Sequence, residues 1–294
     1  MATTSENKMT GPHGCELFTK TWTPAAAPIA QVVFVHGFVE HIKRYDHVFP
    51  KFSEEGIAVF AWDQRGFGQT SAWTKSQGVT SWAHQLGDIS WAIEQASLLH
   101  PGVPLYLFGH SMGGGLALAF PTRTPALPGL EKIKGVLASS PLLRQTKAVK
   151  TPLLVVRAGS VLGSMFPKLN VAAEVKPANV CRDPEIQKAY SEDPLCVQKG
   201  TFKGVADMLL GGEALMTKDY KNWPANIPLL VVHGTSDKVT EHDASAEFVD
   251  KLKADGKDAT FKSFEGFYHE MHNEPGDDKW TEINSLTSWI KSKI

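Results

Sequence analysis

The sequence has few cysteines, almost no net charge and no long apolar run. Its three cysteines, Cys15, Cys181 and Cys196, are widely spaced and form no C-x-x-C pair, which disfavours a disulfide framework or a zinc site and suits a reducing compartment. A formal charge of −1 over 294 residues offers no basic surface for nucleic acid. No apolar stretch reaches the roughly 18 residues of a membrane span, and the polar N-terminus lacks the apolar core of a signal peptide. We therefore expect a soluble, cytoplasmic protein, although residues 292–294 differ by one residue from a peroxisomal Ser-Lys-Leu signal.

The stretch 105–120 combines a strand, a sharp turn and a helix. Residues 105–108 are short, apolar and partly aromatic, as in a buried strand, and an apolar helix pattern follows the turn Gly109-His-Ser-Met-Gly113, which we call the elbow. The backbone of such a turn is crowded on both sides of Ser111, where only glycine fits. G-x-S-x-G alone arises by chance in roughly one chain of this length in ten, and a glycine-rich loop with an incidental serine is the alternative. The flanking strand and helix favour a nucleophilic serine raised above the edge of a sheet.

Strand and helix patterns alternate along most of the chain. Strands are predicted at 16–22, 31–36, 57–62, 105–108, 135–139, 229–233 and 260–264, and helices at 45–55, 81–99, 243–254 and 277–292. We expect a disordered start before the strand at 16–22 and a loop at residues 63–70, and we expect Pro121 to end or kink the helix after the elbow. The βαβ order predicts an α/β fold with a mostly parallel central sheet and helices on both faces. In such sheets ligands bind beyond the carboxyl ends of the strands.

Residues 141–205 interrupt this order. They contain several prolines, no convincing strand and an apolar segment at 152–166, and about 65 structureless residues would be unusual inside a compact domain. We therefore predict an inserted helical cap at 141–205, between two parts of the core at 1–140 and 206–294. The apolar segment either packs on the core or forms a rim that touches lipid, and the pattern is compatible with both.

The serine needs partners, because its hydroxyl is a poor nucleophile at neutral pH without a base in hydrogen-bond reach. On an elbow of this kind an acid and then a histidine follow the serine along the chain, each after a late strand. Asp237 follows the strand at 229–233 and His269 follows the strand at 260–264. Singly they could be a turn aspartate and a surface histidine. Three such residues at successive strand ends favour a catalytic triad of Ser111, Asp237 and His269.

Two other polar residues have competing interpretations. His272 is a rival base, and with His269 it could form a metal pair. H-E-x-x-H is absent and no third ligand is evident, so we expect no metal. Asp63 also follows a strand, but it precedes the serine and opens a glycine-rich turn, so we expect a structural role for it.

The oxyanion of an acyl-transfer reaction needs two backbone donors. One should be the N–H of Met112, directly after the nucleophile, and the other the N–H of Phe38, in the loop after an early strand. The alternative is that residues 36–37 merely end that strand.

Together these motifs resemble the monoacylglycerol lipases of the α/β-hydrolase superfamily, over nearly the whole chain. The matching blocks are His36-Gly-Phe-Val-Glu-His41 with Arg44-Tyr45, Asp63-Gln-Arg-Gly-Phe-Gly68, Gly109-His-Ser-Met-Gly-Gly114, Asp193-Pro-Leu195, His233-Gly-Thr-Ser-Asp237 and Tyr268-His-Glu-Met-His272. The resemblance implies an α/β-hydrolase fold, the triad named above and the two oxyanion donors. It also implies a glycerol pocket, to which it assigns Glu40, Arg44, Tyr190 and His272, and an apolar acyl channel under the cap. Phe38 is bulky where the family often has a small residue, which narrows the alcohol side.

The function implied by the resemblance is cleavage of the ester bond of monoacylglycerols, through an acyl-enzyme and without a cofactor. A lysophospholipase or a general carboxylesterase of the same fold is the alternative, and a non-catalytic binding protein of this fold is a third. The polar side chains of Glu40 and Arg44 favour a neutral polyol as leaving group. The expected partners are a small-molecule lipid ester and, through the cap, a membrane or lipid-droplet surface.

Overall fold

The structure, a computed structural model, describes residues 3–294, in which strands and helices alternate. The strands are β1 (Thr3–Thr10), β2 (Glu16–Thr23), β3 (Ala30–Val35), β4 (Ile57–Trp62), β5 (Leu105–His110), β6 (Ile133–Ser139), β7 (Asn170–Ala172), β8 (Lys199–Thr201), β9 (Leu229–Gly234) and β10 (Ala259–Phe264). The α-helices are α1 (Phe49–Glu54), α2 (Gly68–Thr74), α3 (Trp82–Leu99), α4 (Met112–Ala119), α5 (Leu153–Met165), α6 (Pro184–Glu192), α7 (Phe202–Thr217), α8 (His242–Ala254) and α9 (Asp278–Ser292).

Eight of these strands form one sheet, in the order β1-β2-β4-β3-β5-β6-β9-β10. The pairs β1–β2 and β2–β4 are antiparallel, and the remaining pairs are parallel. The central strands are apolar on both sides because helices cover both: α3, α4 and α8 pack on one face, and α1 and α9 on the other. The predicted α/β architecture is therefore confirmed. The carboxyl ends of the parallel strands meet at one edge, which is where a ligand site is expected.

The N-terminal segment is ordered, and the prediction of disorder is wrong for residues 3–10. They form β1, which pairs with β2 from Thr3↔Thr23 to Thr10↔Glu16. Because β1 is an edge strand with mostly exposed side chains, no alternation of apolar and polar residues marks it in the sequence. The ammonium of Lys20 lies 2.9 Å from a carboxylate oxygen of Glu6 and ties the two strands together. Residues 1–2 of the same predicted segment lie outside the described range.

The structure corrects two further predictions and confirms a third. The helix predicted at 45–55 is a 3-10 turn at Ile42–Tyr45 followed by the shorter α1, which has a proline in its first turn, where proline is tolerated. The loop predicted at 63–70 ends earlier than expected, because α2 begins at Gly68. The effect predicted for Pro121 is confirmed: α4 ends at Ala119, and a 3-10 turn contains the proline.

The segment 141–205 contains α5, α6 and a small antiparallel sheet made of β7 and β8. These two strands were not anticipated, because three residues are too few to show a period. α7 begins at Phe202, inside the segment, and continues beyond residue 205 to Thr217. The division into 1–140, 141–205 and 206–294 stays a prediction. Within residues 3–294, no helix combines the length and the hydropathy needed to cross a membrane.

Candidate active site

Ser111 lies at the sharp turn between β5 and α4. Its φ of 55° and ψ of −119° are rare for a residue that has a Cβ. Its N–H donates to the carbonyl of Ser139 at 3.0 Å, which fixes the turn to β6. A Cβ on Gly109 would overlap the carbonyl oxygen of Gly113, and a Cβ on Gly113 would overlap that of Val35. The steric requirement inferred from the motif is therefore confirmed at both glycines.

Ser111, His269 and Asp237 form one hydrogen-bonded line at the carboxyl edge of the sheet. The Nε2 atom of His269 lies 2.9 Å from the Oγ of Ser111, and its Nδ1 lies 2.7 Å from Oδ2 of Asp237. These are the two contacts that a nucleophile, a base and an orienting acid require. The side chains of His269 and Asp237 are 4% and 0% exposed, and Ser111 keeps 8% of its surface exposed. The structure thus brings together the three residues that the sequence predicted.

The carboxylate of Asp237 is held on both oxygens. Its Oδ1 accepts from the backbone N–H groups of Val239 at 2.7 Å and Thr240 at 3.0 Å, while Oδ2 accepts from His269 and from Nε2 of His233. Burial alone would raise the pKa of Asp237, but the two histidines hold it well below its usual range, so the group is ionised. Burial would lower the pKa of His269, but the charge of Asp237 outweighs this and raises it. The imidazole is thereby prepared to hold a proton.

Two backbone donors lie beside the nucleophile. The loop after β3 approaches it closely, since a Cβ on Gly37 would lie 3.0 Å from the Cβ of Ser111. Met112 is the first residue of α4, where an N–H has no partner in the helix. Across residues 3–294, no acceptor contacts the N–H of Phe38 or that of Met112. This arrangement suits an oxyanion, and the assignment of the two donors stays a prediction.

A cavity of about 580 Å³ opens above Ser111. Ser111 and Phe38 line it, and its walls are largely apolar. They come from α5, from α7 and from the chain after β7, and include Val156, Gly159, Leu162, Val175, Val205 and Leu209. Pockets of this size and character bind small apolar ligands. The cavity could hold a fatty acyl chain with its ester group at Ser111.

The carboxylate of Glu40 is buried and contacts the loop after β3, which carries Phe38. One oxygen accepts from the N–H of Gly37 and, at 3.0 Å, from the hydroxyl of Tyr45, and the other lies 3.2 Å from Arg44. Arg44 also makes a bidentate pair with Glu270, at 2.6 and 2.7 Å. Burial raises the pKa of Glu40 to about 7. Burial would also raise the pKa of Glu270, but the Arg44 guanidinium lowers it to about 2.

The other two residues of the predicted glycerol pocket border this network. The guanidinium carbon of Arg44 lies 4.7 Å from the centre of the Tyr190 ring, and the ring of His272 stacks on Tyr45 with 4.6 Å between centroids. Burial lowers the pKa of His272 to about 3, so this ring is neutral. The contact with Ser111 is made by His269 and not by the rival His272. The four residues lie together but do not line the large cavity, and their role toward glycerol stays a prediction.

One group of side chains has the composition of a metal site. His41, Asp193 and Cys196 place one ligand atom each within 4.8 Å of one another. His41 Nε2 and Asp193 Oδ2 already form a 2.8 Å hydrogen bond, and burial raises the pKa of the Cys196 thiol. A metal needs a thiolate and an unprotonated imidazole nitrogen, so these residues fit a hydrogen-bonded contact better than an ion.

Known proteins resemble this chain along most of its length. The profile of a hydrolase family described as serine aminopeptidase S33 matches residues 26–276. A Schizosaccharomyces pombe protein, provisionally named a monoglyceride lipase, is 35% identical over 281 residues, which are 94% of this chain and 71% of that protein. The monoacylglycerol lipase of Mycolicibacterium smegmatis is 32% identical over 293 residues, which are 100% of this chain and 99% of that protein. The chain belongs to the monoacylglycerol lipase family of the α/β-hydrolase superfamily.

The fold of this monoacylglycerol lipase family member also agrees with a solved structure. A soluble variant of the Saccharomyces cerevisiae monoglyceride lipase, in complex with a substrate analogue, superposes with a TM-score of 0.87 at 23% identity, covering 100% of this chain and 95% of that one. At this identity the likeness shows the fold, and the predicted α/β-hydrolase fold is confirmed.

Two residues in this family member's site had no role assigned from the sequence. His233 is the fifth residue of β9 and lies four residues before Asp237, a spacing that was the only available signal. Glu270 follows His269 directly, but its partner Arg44 is 226 residues away. No local pattern could have indicated that ion pair.

Proposed function

We propose that this chain cleaves the ester bond of monoacylglycerols and releases a fatty acid and glycerol through an acyl-enzyme on Ser111. The observation that carries the proposal is the hydrogen-bonded line of Ser111, His269 and Asp237, whose serine lines a largely apolar cavity. Membership of the monoacylglycerol lipase family supports this substrate class.

The reaction proceeds in two steps. The Oγ of Ser111 attacks the ester carbonyl carbon while Nε2 of His269 takes the hydroxyl proton, and Asp237 holds the imidazole in the right tautomer and stabilises its cation. The N–H groups of Phe38 and Met112 bind the negative oxygen of the tetrahedral intermediate, a contribution of about 2.7–4 kcal/mol for each donor. His269 then gives its proton to the departing glycerol oxygen. A water molecule, activated by His269, releases the fatty acid from Ser111.

The surroundings of Phe38 support an ester with a small alcohol. Its ring packs edge-on against Phe67, with 5.4 Å between centroids, and a Cβ on Gly200 would lie 3.1 Å from its Cζ. The Phe38 ring is therefore held in place beside Ser111, and we propose that it limits the room for the alcohol, whereas the acyl chain extends into the cavity. A glycerol that carries further acyl chains would need more room beside Phe38, which favours monoacylglycerols over di- and triacylglycerols.

A substrate panel with a nucleophile variant tests the proposal. We expect monooleoylglycerol to be cleaved with a higher kcat/KM than dioleoylglycerol, trioleoylglycerol, lysophosphatidylcholine or p-nitrophenyl acetate. Ser111→Ala should reduce turnover by several orders of magnitude, since the residual rate of triad-deficient enzymes comes from the oxyanion hole and binding alone. Its thermal unfolding should match that of the wild type, because alanine lacks only the hydroxyl.

Other outcomes would identify the alternatives. A preference for lysophosphatidylcholine would indicate a lysophospholipase, and a preference for the acetate would indicate a general carboxylesterase. Failure of a fluorophosphonate to label the wild type at Ser111, together with no hydrolysis, would leave a non-catalytic binding protein.

The exposed face of α5 supports contact with a lipid surface. Leu154 is 80% exposed, Met165 is 69% and Val161 is 65%, and Phe166 directly after the helix is 55%. Residues 144–176 also carry six basic side chains and one acidic side chain. Apolar side chains surrounded by basic ones bind anionic lipid surfaces. We propose that this face rests on a membrane or lipid droplet and that the enzyme is otherwise cytoplasmic, in keeping with its three free thiols.

Vesicle sedimentation tests this contact. The double variant Leu154→Gln, Met165→Gln should sediment less with vesicles of phosphatidylcholine and phosphatidylserine, and its hydrolysis of a water-soluble ester should be unchanged. Leu98→Gln is the matched control, because Leu98 is 65% exposed but lies on α3, outside the cap segment. Equal sedimentation of all variants would contradict the proposal.

A further inference from the structure

His233 is a buried histidine that the mechanism above does not use. Its side chain is inaccessible to solvent at the end of β9. Its Nε2 lies 3.0 Å from Oδ2 of Asp237, and its Nδ1 lies 2.8 Å from the hydroxyl oxygen of Ser245 on α8. An ionised carboxylate can only accept, so the hydrogen of His233 is on Nε2, and Nδ1 accepts from Ser245. The tautomer and the orientation of the ring are therefore both fixed.

His233 and His269 donate to the same carboxylate oxygen. Their distances to Oδ2 of Asp237 are 3.0 and 2.7 Å. The hydroxyl of Thr240 is 2.9 Å from this oxygen, but it has one hydrogen, for which the carbonyl of Ser140 competes at 3.1 Å. Because the other oxygen, Oδ1, is occupied by backbone donors, His233 is the side-chain N–H that shares Oδ2 with His269.

We propose that His233 is a positioning residue of the hydrolytic site: its N–H fixes the rotation of the Asp237 carboxylate and draws part of the negative charge away from His269. The inference rests on the proposed function, since it assigns His233 a part in tuning the base of that reaction. Ser245 completes the line by holding the tautomer of His233.

The surrounding titratable groups do not take this role. The ring of His242 on α8 lies 5.6 Å from that of His233, centroid to centroid, but its nitrogens contact Ser263 and Asp243. His110 faces His269 at 4.9 Å between centroids, and the carboxylates of Glu270 and Glu40 act on His269 only through their charge. Burial lowers the pKa of His233 itself, so it acts as a neutral donor.

Removing the N–H of His233 should raise the pKa of His269. More of the Asp237 charge would then act on His269, its imidazolium would be more stable, and its pKa would rise. The base must be neutral to react, so the acidic limb of kcat/KM would move to higher pH, by about one unit. We expect kcat on the plateau to fall by about tenfold, as the carboxylate loses one anchor, with KM little changed.

A pair of polar substitutions separates donation from packing. His233→Gln places an amide N–H near the position of Nε2 and should keep the wild-type pH limb and at least half of kcat. His233→Asn keeps a polar contact toward Ser245 but is too short to reach Asp237, and it should show the shifted limb. Both are compared by pH profiles with p-nitrophenyl butyrate, a substrate without glycerol, and by fluorophosphonate labelling of Ser111 at each pH.

Ring-nitrogen chemical shifts of the wild type provide a test that needs no variant. They should show His233 with its proton on Nε2 at neutral pH, and a proton on Nδ1 alone would overturn the proposal. The proposal would also be overturned if His233→Asn kept the wild-type acidic limb of kcat/KM, or if His233→Gln shifted that limb as far as His233→Asn does. A wild type that neither hydrolyses the ester nor is labelled would contradict the proposed function instead.

Discussion

At the scale of single residues, the carboxylate of Glu40 holds the loop that carries one of the proposed oxyanion donors. It accepts from the N–H of Gly37, which precedes it in the chain, and from the hydroxyl of Tyr45, which follows it. Between them Val39 has a φ of 52°, a strained conformation for a β-branched residue. Such strain persists only where neighbouring contacts over-determine it, and Glu40 supplies these contacts.

Substitution of Glu40 should therefore affect catalysis with any acyl ester. We expect Glu40→Ala to lower kcat by about 10²–10³, the effect of losing one oxyanion donor. Glu40→Gln keeps an acceptor, so its fold reduction in kcat should be less than a tenth of that of the alanine variant. The measurement is kcat and KM for monooleoylglycerol and for p-nitrophenyl butyrate. A loss confined to the glyceryl ester would show instead that Glu40 binds glycerol, as the family resemblance implies.

The sequence allowed the line of Ser111, Asp237 and His269 to be placed because each residue follows an apolar strand. Parallel strands end at a common edge, so residues far apart in the chain could be expected to meet there. The sharing of one Asp237 oxygen by two histidines could not be predicted, since it depends on the rotation of a carboxylate. The Glu270–Arg44 pair could not be predicted either, because its two residues are 226 positions apart and no local pattern connects them.

At the scale of elements, α5 contains two glycines with different surroundings. A Cβ on Gly163 would overlap the backbone nitrogen of Lys203, so close packing on α7 requires a glycine there. A Cβ on Gly159 would have a single neighbour within 4 Å, Phe202 at 3.5 Å, and this position lines the cavity. A glycine inside a helix costs roughly 0.5–1 kcal/mol relative to alanine. Gly159 is thus not needed for packing, and it leaves room in the cavity.

A larger side chain at position 159 should change the acyl-chain preference. Gly159→Leu fills the cavity, so we expect kcat/KM to fall by about tenfold or more for monooleoylglycerol relative to monooctanoylglycerol. Gly159→Ala should leave the ratio unchanged and increase thermal stability, whereas Gly163→Ala should destabilise. An unchanged ratio in the leucine variant would place the acyl chain outside this cavity.

Element prediction succeeded where side chains follow a clear period and failed where they do not. The central strands are rich in β-branched and apolar residues, and all of them were predicted within a few residues. β1 is polar except for Met9, β7 and β8 have three residues each, and α2 begins within a glycine-rich turn. Their structure is imposed by pairing and packing with distant segments, which a local pattern does not contain.

At the scale of the whole molecule, a buried acid connects the carboxyl end of β6 to α9. Glu282 is fully buried, and one of its oxygens accepts from the hydroxyl of Ser139 at 2.6 Å. Within residues 3–294 its other oxygen has no partner. Burial raises the pKa of Glu282 from 4.5 to about 7. The folded protein therefore favours the protonated acid, and the stability it contributes is present below the unfolded-state pKa and lost as the pH rises through about 7.

Glu282→Gln should accordingly stabilise the protein at alkaline pH. The amide keeps an oxygen for Ser139 and cannot ionise, so we expect the free energy of unfolding at about pH 8 to rise by about 1–3 kcal/mol. At about pH 5 the change should be much smaller, because the wild-type side chain is largely neutral there. Urea unfolding at both values is the measurement. The same change at both would mean that Glu282 does not titrate with folding.

The helix α7 connects one wall of the cavity to the support of the nucleophile. Val205 and Leu209 line the cavity, and further along a Cβ on Gly212 would lie 2.8 Å from the carbonyl oxygen of Leu142. The N–H of Leu142 in turn donates to the carbonyl of Ser111 at 2.8 Å. Because an unbroken helix moves as a rod, this wall cannot yield without disturbing the turn that presents the hydroxyl. A lipid that displaced this wall would therefore also displace the support of Ser111, which couples the shape of the cavity to the position of the nucleophile.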